Sequence, residues 1–133
     1  MSDMKRILIV DDNLMMRKLI RNIFANEEYD IVEAENGSEG LEIAKNHNID
    51  LVITDIIMPV MEGLELIMHL KRDFPGIKII AISGGKPYYL YMAKKLGIEK
   101  IFTKPLDLHQ FLNAVKKLIH FPKSGIISRS ASA

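Results

Sequence analysis

Short apolar stretches rich in β-branched residues alternate along this chain with stretches of helical periodicity. The strand-like stretches are residues 7–10, 31–32, 51–54, 77–83 and 101–103. Apolar residues at the spacing of an amphipathic helix mark five helices: Met16, Leu19, Ile20 and Ile23; Leu41 and Ala44; Leu64, Ile67 and Leu70; Leu90, Ala93 and Gly97; and Leu108, Phe111, Leu112, Val115, Leu118 and Ile119. The alternation predicts an α/β fold with a doubly wound, parallel five-stranded sheet covered by helices on both faces.

Three of the predicted helices carry local signals at their starts. The sequence Asn36-Gly37-Ser38-Glu39 has the form of a capping box before the second helix. Pro87 suits the first turn of the fourth helix, where a missing N–H leaves no hydrogen bond unmade. Asp107 is a suitable N-cap for the fifth helix.

Length and composition restrict the class of protein. The chain has 133 residues, 48% of them hydrophobic, which fits one domain with a real core. Its 18 basic and 17 acidic side chains give a net charge of +1, which gives no support for bulk nucleic-acid binding. The absence of Cys excludes disulfides and thiolate metal sites. No stretch approaches the ~20 apolar residues of a membrane span, and we expect a cytoplasmic protein without membrane contact.

We predict a single domain over residues 1–121, followed by a tail over 122–133. The tail is small and polar, with Ile126 and Ile127 as its apolar patch. We expect it to contain no output domain.

Polar side chains close four of the five predicted strands. Asp11 and Asp12 follow the first strand, Asp55 ends the third, Ser83 ends the fourth and Lys104 ends the fifth. The carboxyl ends of parallel strands lie on one edge of the sheet, where doubly wound folds bind ligands. Each motif alone is most often a turn, a cap or a strand end, but their joint order predicts a functional site.

The chemistry of this set indicates a site for a hard cation, with a possible nucleophile. Three clustered carboxylates without His or Cys suit Mg²⁺, which prefers oxygen ligands. Such an ion would offset the repulsion between Asp11 and Asp12, which is ~4 kcal/mol for unit charges ~4 Å apart at an effective dielectric of ~20. An Asp can also be a nucleophile that forms an acyl phosphate. Lys104 would supply positive charge and Ser83 a hydrogen bond.

The motifs "ILIVDDN", "DLVITDIIMPVMEG", "IIAIS" and "FTKP" resemble those of the receiver domains of two-component response regulators. The resemblance covers about residues 4 to 120. It implies a (βα)5 sheet in flavodoxin-like order and a stand-alone phosphoacceptor in a two-component phosphorelay. It also implies that the protein is not an enzyme acting on an external substrate, but catalyses only its own phosphoryl transfer and dephosphorylation.

The resemblance also implies roles for individual residues. Asp55 would accept the phosphoryl group from a phosphohistidine of a sensor kinase or a phosphotransfer protein. Asp12, Asp55 and the backbone carbonyl of Ile57 would hold Mg²⁺, with help from Asp11. Ser83 and Lys104, with catalytic roles, would contact the phosphoryl group.

Met58, Pro59 and Gly63 match the family's loop after the phosphorylated Asp. This sequence departs from the family pattern at two other positions. The family often has an aromatic switch residue three positions before the Lys, where this chain has Ile101, and Phe102 should point to the opposite face of the strand. Ile57 places an apolar side chain at the mouth of the site. Two interpretations stay open for Ile57: it hinders the hydrolytic water, or it only packs beside the loop.

The fourth helix begins with an unusual group of aromatic residues, Tyr88, Tyr89 and Tyr91. At helical spacing these rings cannot all face the core, so we expect some to be exposed, where Tyr favours interfaces. The alternative is that the rings are half-buried with their hydroxyl groups in water. The resemblance implies that the face of helix 4, strand 5 and helix 5, which here carries these tyrosines and Ile101, is the surface for a downstream protein target. The resemblance leaves a homodimer through this face open.

Three other functions compete with a phosphoacceptor switch. A Mg²⁺-dependent phosphohydrolase of the haloacid-dehalogenase type would need its nucleophile in an Asp-x-Asp arrangement after the first strand, whereas the pair here is adjacent. A scaffold that has lost phosphorylation is disfavoured because all five polar positions are intact. A nucleotide-binding fold is disfavoured because no Gly follows the first strand to admit a pyrophosphate.

Overall fold

The computed structural model describes residues 4–58 and 61–120. Its elements, in chain order, are β1 (Lys5–Val10), α1 (Leu14–Ile23), β2 (Tyr29–Ala34), α2 (Gly37–Asn46), β3 (Leu51–Asp55), α3 (Gly63–Asp73), β4 (Lys78–Ser83), α4 (Pro87–Lys95), β5 (Lys100–Thr103) and α5 (Leu108–His120). All strand pairs are parallel, and the sheet order is β2-β1-β3-β4-β5. The predicted fold class and the flavodoxin-like order are therefore confirmed.

The sheet separates two hydrophobic clusters. The cluster on one face contains buried residues of α2, α3 and α4, and the cluster on the other face contains those of α1 and α5. β5 shows the division within one strand, because Ile101 packs against the first cluster and Phe102 against the second. This alternation is the period of a strand, and it confirms that Phe102 lies opposite to Ile101.

Several predicted boundaries and core positions were wrong. β2 spans six residues instead of the predicted 31–32, because it is an edge strand whose polar positions hid its length. β1 begins two residues earlier than predicted, and β4 begins one residue later. Leu19, predicted to mark the core face of α1, is 40% exposed, and Leu108 is also exposed.

The predicted helix starts are confirmed, with one variation. The Asn36 Oδ1 accepts a hydrogen bond from the Glu39 backbone N–H at 2.8 Å, as a capping box requires. The Glu39 carboxylate instead accepts from the backbone N–H of Glu35, one residue earlier than usual, also at 2.8 Å. Asp107 caps α5 through the Gln110 N–H at 3.1 Å, and Pro87 is the first residue of α4.

Gly63 allows α3 to begin directly against the end of β3. Its N–H donates to the Ile56 carbonyl at 2.7 Å. A Cβ at this position would collide with the carbonyl oxygen of Asp55 and lie 2.7 Å from the Ile56 Cα. The close approach therefore fixes the backbone that directly follows the Asp55 side chain.

Some predicted features lie outside the described residues. They are Pro59 of the loop motif, the 122–133 tail with its Ile126 and Ile127 patch, and the ends of the predicted 1–121 domain. Within the part of the chain that the structure describes, no helix is both long and apolar enough to cross a membrane.

Candidate functional site

The structure brings the predicted polar residues together at one edge of the sheet. Carboxylate oxygens of Asp11, Asp12 and Asp55 lie within 4.8 Å of one another. The Lys104 Nζ lies 3.5 Å from the Asp55 Oδ2. Ser83 ends the strand next to β3, where its neighbour Ile82 pairs with Asp55. The edge therefore combines three carboxylates, an ammonium and a hydroxyl, as the strand ends predicted.

Asp11 is held rigidly below the surface of the site. Its backbone N–H donates to the Ala34 carbonyl at 3.1 Å, and its carbonyl accepts from the Arg17 guanidinium at 2.7 Å. Its Oδ1 accepts from the Asn13 N–H at 2.9 Å. The Oδ2 is the buried side-chain polar atom, among the described residues, that has no hydrogen-bond partner. An unpartnered oxygen on a buried carboxylate that lies beside two other carboxylates indicates a site completed by a positive group.

Burial disfavours the charged forms of the Asp11 and Asp55 carboxyl groups. Burial raises the pKa of Asp11 to about 6; the Asn13 N–H opposes this effect, and the charge of Asp55 adds to it. Burial also raises the pKa of Asp55, although Lys104 and the backbone N–H groups of Ile56 and Ile57 oppose the shift. A single lysine therefore does not compensate the negative charge of the cluster.

The donor set fits a hard divalent ion. Carboxylate oxygens without thiolate or imidazole are the ligands that Mg²⁺ prefers. Asp12 is exposed and Asp55 is buried, so the acidic cluster spans the surface and the interior of the edge. The participation of the Ile57 backbone carbonyl stays a prediction. The Ile57 side chain is 40% exposed, as expected for a residue at the mouth of the site.

Ser83 is buried and its hydroxyl orders the loop that follows β4. The Oγ accepts a hydrogen bond from the Gly85 N–H at 3.0 Å, and the Ser83 carbonyl accepts from the Lys104 N–H at 2.9 Å. Because the hydroxyl is used here as an acceptor, its proton is available to a further acceptor. Ser83 thus connects the site and the loop through its side chain and the end of β5 through its backbone carbonyl.

Three supporting residues were missed by reasoning from the sequence. Asn13 caps α1 by accepting from the Met16 N–H, and its own N–H holds Asp11. The Asn before a helical pattern was a usable signal for the cap. Arg17 and Thr54, whose hydroxyl donates to the Asp55 carbonyl at 2.8 Å, act on backbone atoms, and no sequence pattern indicates such contacts.

The aromatic group at the start of α4 is divided between core and surface. Tyr89 is partly buried and packs against the first cluster. Tyr88 and Tyr91 are 63% and 57% exposed. The expectation that some of these rings face solvent is confirmed.

A cavity of about 810 Å³ lies at the opposite edge of the sheet. Its lining includes Arg6, His47, Asp50 and Phe74. The Asp50 carboxylate already accepts from the Arg6 backbone N–H, and the Arg6 guanidinium is paired with Asp30. The cavity is remote from the carboxylate cluster and contributes nothing to its chemistry.

Known proteins share both the sequence and the fold. The family model for the response regulator receiver domain matches residues 7–116. The chain is 36% identical to a chemotaxis protein CheY of Halobacterium salinarum over 117 residues, 86% of this chain and 97% of that protein. It is 34% identical to sporulation initiation phosphotransferase F of Bacillus subtilis, over 86% of this chain and 94% of that protein.

Solved structures agree with this relationship. A CheY-like receiver domain protein of Methanospirillum hungatei superposes with a TM-score of 0.83 at 29% identity, over 89% of this chain and 95% of that one. The matched region contains the acidic cluster, Ser83 and Lys104. The chain therefore belongs to the response regulator receiver domain family and is a CheY-like receiver domain of two-component signalling.

Proposed function

We propose that this protein is a stand-alone phosphoacceptor in a phosphorelay, and that Asp55 receives the phosphoryl group. The observation that carries the proposal is the position of the Asp55 carboxylate, which lies close both to the carboxylates of Asp11 and Asp12 and to the Lys104 ammonium. The nucleophile of a dehalogenase-type phosphohydrolase would follow β1, whereas Lys104 lies against the carboxylate of β3. Two relatives, a chemotaxis protein CheY and a sporulation initiation phosphotransferase F, match this chain over 97% and 94% of their own length and support the proposal.

The transfer follows from the groups around Asp55. A carboxylate oxygen of Asp55 forms a bond to the phosphorus of a phosphohistidine, and the phosphorus–nitrogen bond breaks. The electron pair of that bond returns to the imidazole of the donor. Lys104 pairs with the transferred oxygens, and the Ser83 hydroxyl, whose proton is not used by the loop, donates to one of them.

The metal would be held by Asp11, Asp12 and Asp55, with the Ile57 carbonyl as a further ligand. Mg²⁺ supplies positive charge that neutralises the incoming phosphoryl oxygens when it is bound. The backbone of Asp11 is fixed by Ala34 and Arg17, which keeps its carboxylate at the cluster.

The donor is a sensor kinase or a phosphotransfer protein, the partners of receiver domains. The name of the Bacillus relative, a sporulation initiation phosphotransferase, supports a place in a relay of such transfers. Leu14 and Met15 follow the acidic residues of the site closely in the chain, and their apolar side chains are exposed. They give the donor a surface to contact beside the site. The protein acts on no external substrate and catalyses only the gain and loss of its own phosphoryl group.

The output surface is the face of α4, β5 and α5. A phosphoryl group on Asp55 that accepts a hydrogen bond from the Ser83 hydroxyl would displace the loop that leads into Pro87 and α4. Ile101 is stiff at χ1 and carries no hydroxyl, so the switch moves the helix instead of turning an aromatic ring. Tyr88 and Tyr91, both exposed, are the residues of this surface that a downstream target would contact.

Intact-mass measurement tests the phosphoacceptor. After incubation with a small acyl-phosphate donor and Mg²⁺, we expect a phosphoryl adduct on the wild type and on Asp73→Asn, a control with an exposed carboxylate. Asp55→Asn should carry none, and chelation should abolish the adduct on the wild type and on Asp73→Asn. An adduct that persists undiminished in Asp55→Asn would refute the assignment.

Lys104→Ala tests the coupling between phosphate and output. We expect the variant to fold and to accept phosphate, but to lose the phosphorylation-dependent amide shifts of residues 84–92 that the wild type shows by NMR. The control is Lys117→Ala, a lysine in the last turn of α5. Wild-type shifts in Lys104→Ala would show that the ammonium has no part in the switch.

A further inference from the structure

We propose that the partner docking on α4 and β5 is a protein that presents an acidic segment with one large apolar side chain. This inference rests on the proposed output role of the face and adds the chemistry of its partner. The inference is based on residues 86–104, which form α4, β5 and the connection between them. We define the docking patch as Tyr88, Tyr91, Lys94, Lys95, Ile98, Lys100 and Ile101.

Positive charge is concentrated in this part of the chain. Segment 86–104 has five lysines and one carboxylate, whereas the whole chain has 18 basic and 17 acidic side chains. Lys104 belongs to the site, where it faces Asp55. Lys86, Lys94, Lys95 and Lys100 are exposed, and none has a carboxylate partner within the described chain. Three of these four ammonium groups, those of Lys94, Lys95 and Lys100, belong to the docking patch and can pair with a partner.

Glu99, the single carboxylate of the segment, does not neutralise the positive charge of these lysines at the surface. One oxygen of Glu99 accepts a hydrogen bond from the Ile79 N–H at 2.8 Å, and the other lies 3.7 Å from the Lys71 ammonium. The side chain is only 13% exposed. Glu99 is thus used to fasten β5 to β4 and α3, and it leaves the neighbouring lysines unpaired.

A cleft of about 330 Å³ lies between the end of α4 and β5. It is lined by Lys94, Ile98, Glu99, Lys100 and Ile101. Ile98 and Ile101 are partly buried and packed on the core, so they give the cleft an apolar wall. Lys94 and Lys100 lie at the same cleft. An apolar side chain inserted there would carry its neighbouring residues past two ammonium groups, and carboxylates at those neighbouring positions would pair with them.

The outer face of α4 continues the same chemistry. Tyr88, Tyr91 and Lys95 follow one another at spacings of three and four residues and therefore share one face of the helix. The Lys95 Nζ lies 5.3 Å from the centre of the Tyr91 ring. Exposed aromatic and apolar groups surrounded by charges have the anatomy of a protein interface, with an apolar centre and a polar rim.

The same observations favour a protein over a nucleic acid or a membrane. The chain's net charge of +1 gives little long-range attraction for a polyphosphate backbone. The cleft combines an apolar wall, formed by Ile98 and Ile101, with two lysines. A phosphate backbone has no apolar group to place against that wall, whereas a side chain such as Leu or Phe does. The lysines also contribute mainly to the rate of association, as rim charges do in protein complexes.

A titration of the full chain with synthetic peptides tests the proposal. The probe is a short peptide with one Leu flanked by glutamates. One control peptide has Ser in place of Leu, and a second has Lys in place of the glutamates. We expect the acidic Leu peptide to shift the amide resonances of residues 91–101, and both controls to bind at least about fivefold more weakly, with weaker binding of the probe at higher salt.

Charge reversal locates the site. The double variant Lys94→Glu and Lys100→Glu should weaken binding of the acidic probe about tenfold, as expected for the loss of exposed ion pairs together with new repulsion. Lys18→Glu, the same charge change on α1 at the opposite face of the sheet, should have no effect. The neutral pair Lys94→Gln and Lys100→Gln, with folding checked by NMR, should give an intermediate affinity.

Three results would overturn the proposal: equal binding of the acidic and basic peptides, unchanged affinity of the charge-reversed variant, or tighter binding of single-stranded RNA or anionic lipid vesicles at the same residues. The outcome is separable from the proposed function, because peptide binding is measured on the unphosphorylated protein and on Asp55→Asn as well as on the phosphorylated form. Binding at the patch in all three forms supports the partner chemistry even if phosphorylation leaves the affinity unchanged.

Discussion

The helices α3 and α4 cover the same face of the sheet but are anchored to very different degrees. α3 buries Gly63, Leu66, Ile67 and Leu70, whereas Ala93 is the buried residue of α4. Their neighbouring strands differ in the same way: every residue of β3 is buried, and both ends of β5 are exposed. The part of a fold with few buried contacts is the part that opens or shifts at the lowest free energy.

The site lies across the border between these two regions. The carboxylates project from β1 and β3, which are firmly held, whereas Lys104 follows β5 and Ser83 leads into the loop before α4. Phosphorylation of Asp55 on β3 would therefore act on Lys104 and Ser83, which are connected to the less firmly held β5 and α4. A group that adds charge and strong acceptor oxygens can shift such an element even when the available free energy is only a few kcal/mol.

The strongest test of the firm region is Gly63→Ala. Its Cβ would collide with backbone atoms of Asp55 and Ile56, which cannot turn away as a flexible side chain can. We expect a loss of about 4 kcal/mol or more in the free energy of unfolding, at the upper end for single substitutions. Urea unfolding measures the loss.

Gly84→Ala is the matched control, because nothing lies within 4 Å of the added Cβ. It should change the free energy of unfolding by less than about 0.5 kcal/mol. Similar losses in the two variants would mean that the α3 start is not tightly held.

A second test compares the two helices by the same substitution near their ends. Leu70 of α3 is fully buried, and Leu96 at the end of α4 is partly buried. We expect Leu70→Ala to lower the free energy of unfolding by about 3 kcal/mol and Leu96→Ala by about 1 kcal/mol. Equal losses in urea unfolding would show that α4 is anchored as firmly as α3.

The smallest expected effect concerns α1. Ile20 is the buried residue of this helix, and ion pairs with Glu33 hold the helix to β2. Glu33 of β2 accepts hydrogen bonds from Arg17 at 2.9 Å and from Arg21 at 2.6 Å. Burial raises the pKa of Glu33, but the two guanidinium groups outweigh burial and leave the pKa below its ordinary value of 4.5. The ionised group therefore stabilises the fold above about pH 4.5, and this contribution disappears as pH falls through the lowered pKa.

We expect Glu33→Gln to lower the free energy of unfolding by about 1 kcal/mol at pH 7, after allowance for solvent screening. The difference from the wild type should vanish in acid, where both side chains are neutral. Unfolding measured across the pH range tests this, with Glu35→Gln, an exposed neighbour, expected to change stability by less than about 0.5 kcal/mol. A loss of equal size at every pH would point to packing instead of charge.

The sequence allowed the fold and the convergence of the site to be predicted because both depend on local patterns. The alternation of strands and helices implied a parallel sheet, and a parallel sheet places Asp11, Asp55, Ser83 and Lys104 on one edge. The edge strand β2 was too short in the prediction because only Ile31 and Val32 look like a strand by their side chains. The length of β2 depends on its pairing with β1, and the residues of β2 alone do not indicate that pairing.

The supporting contacts depend on distances that no local pattern encodes. Arg17 reaches the carbonyl of Asp11, and the Thr54 hydroxyl donates to the carbonyl of Asp55. Gly63 was recognised by its place in a motif, but its physical reason is the approach of two backbones that are distant in the chain. The side chains that perform the chemistry were therefore predictable, and those that hold the backbone in position were not.

The distribution of tyrosines gives the protein a built-in optical reporter. The chain contains four tyrosines and no tryptophan, and three of the four lie on α4. The fourth, Tyr29, is at the opposite edge of the sheet, hydrogen-bonded to the imidazole of His120 at 2.9 Å. Without an indole to dominate the spectrum, most of the intrinsic fluorescence arises from the helix that is expected to move. Stopped-flow fluorescence of the unlabelled protein can therefore follow that movement in real time.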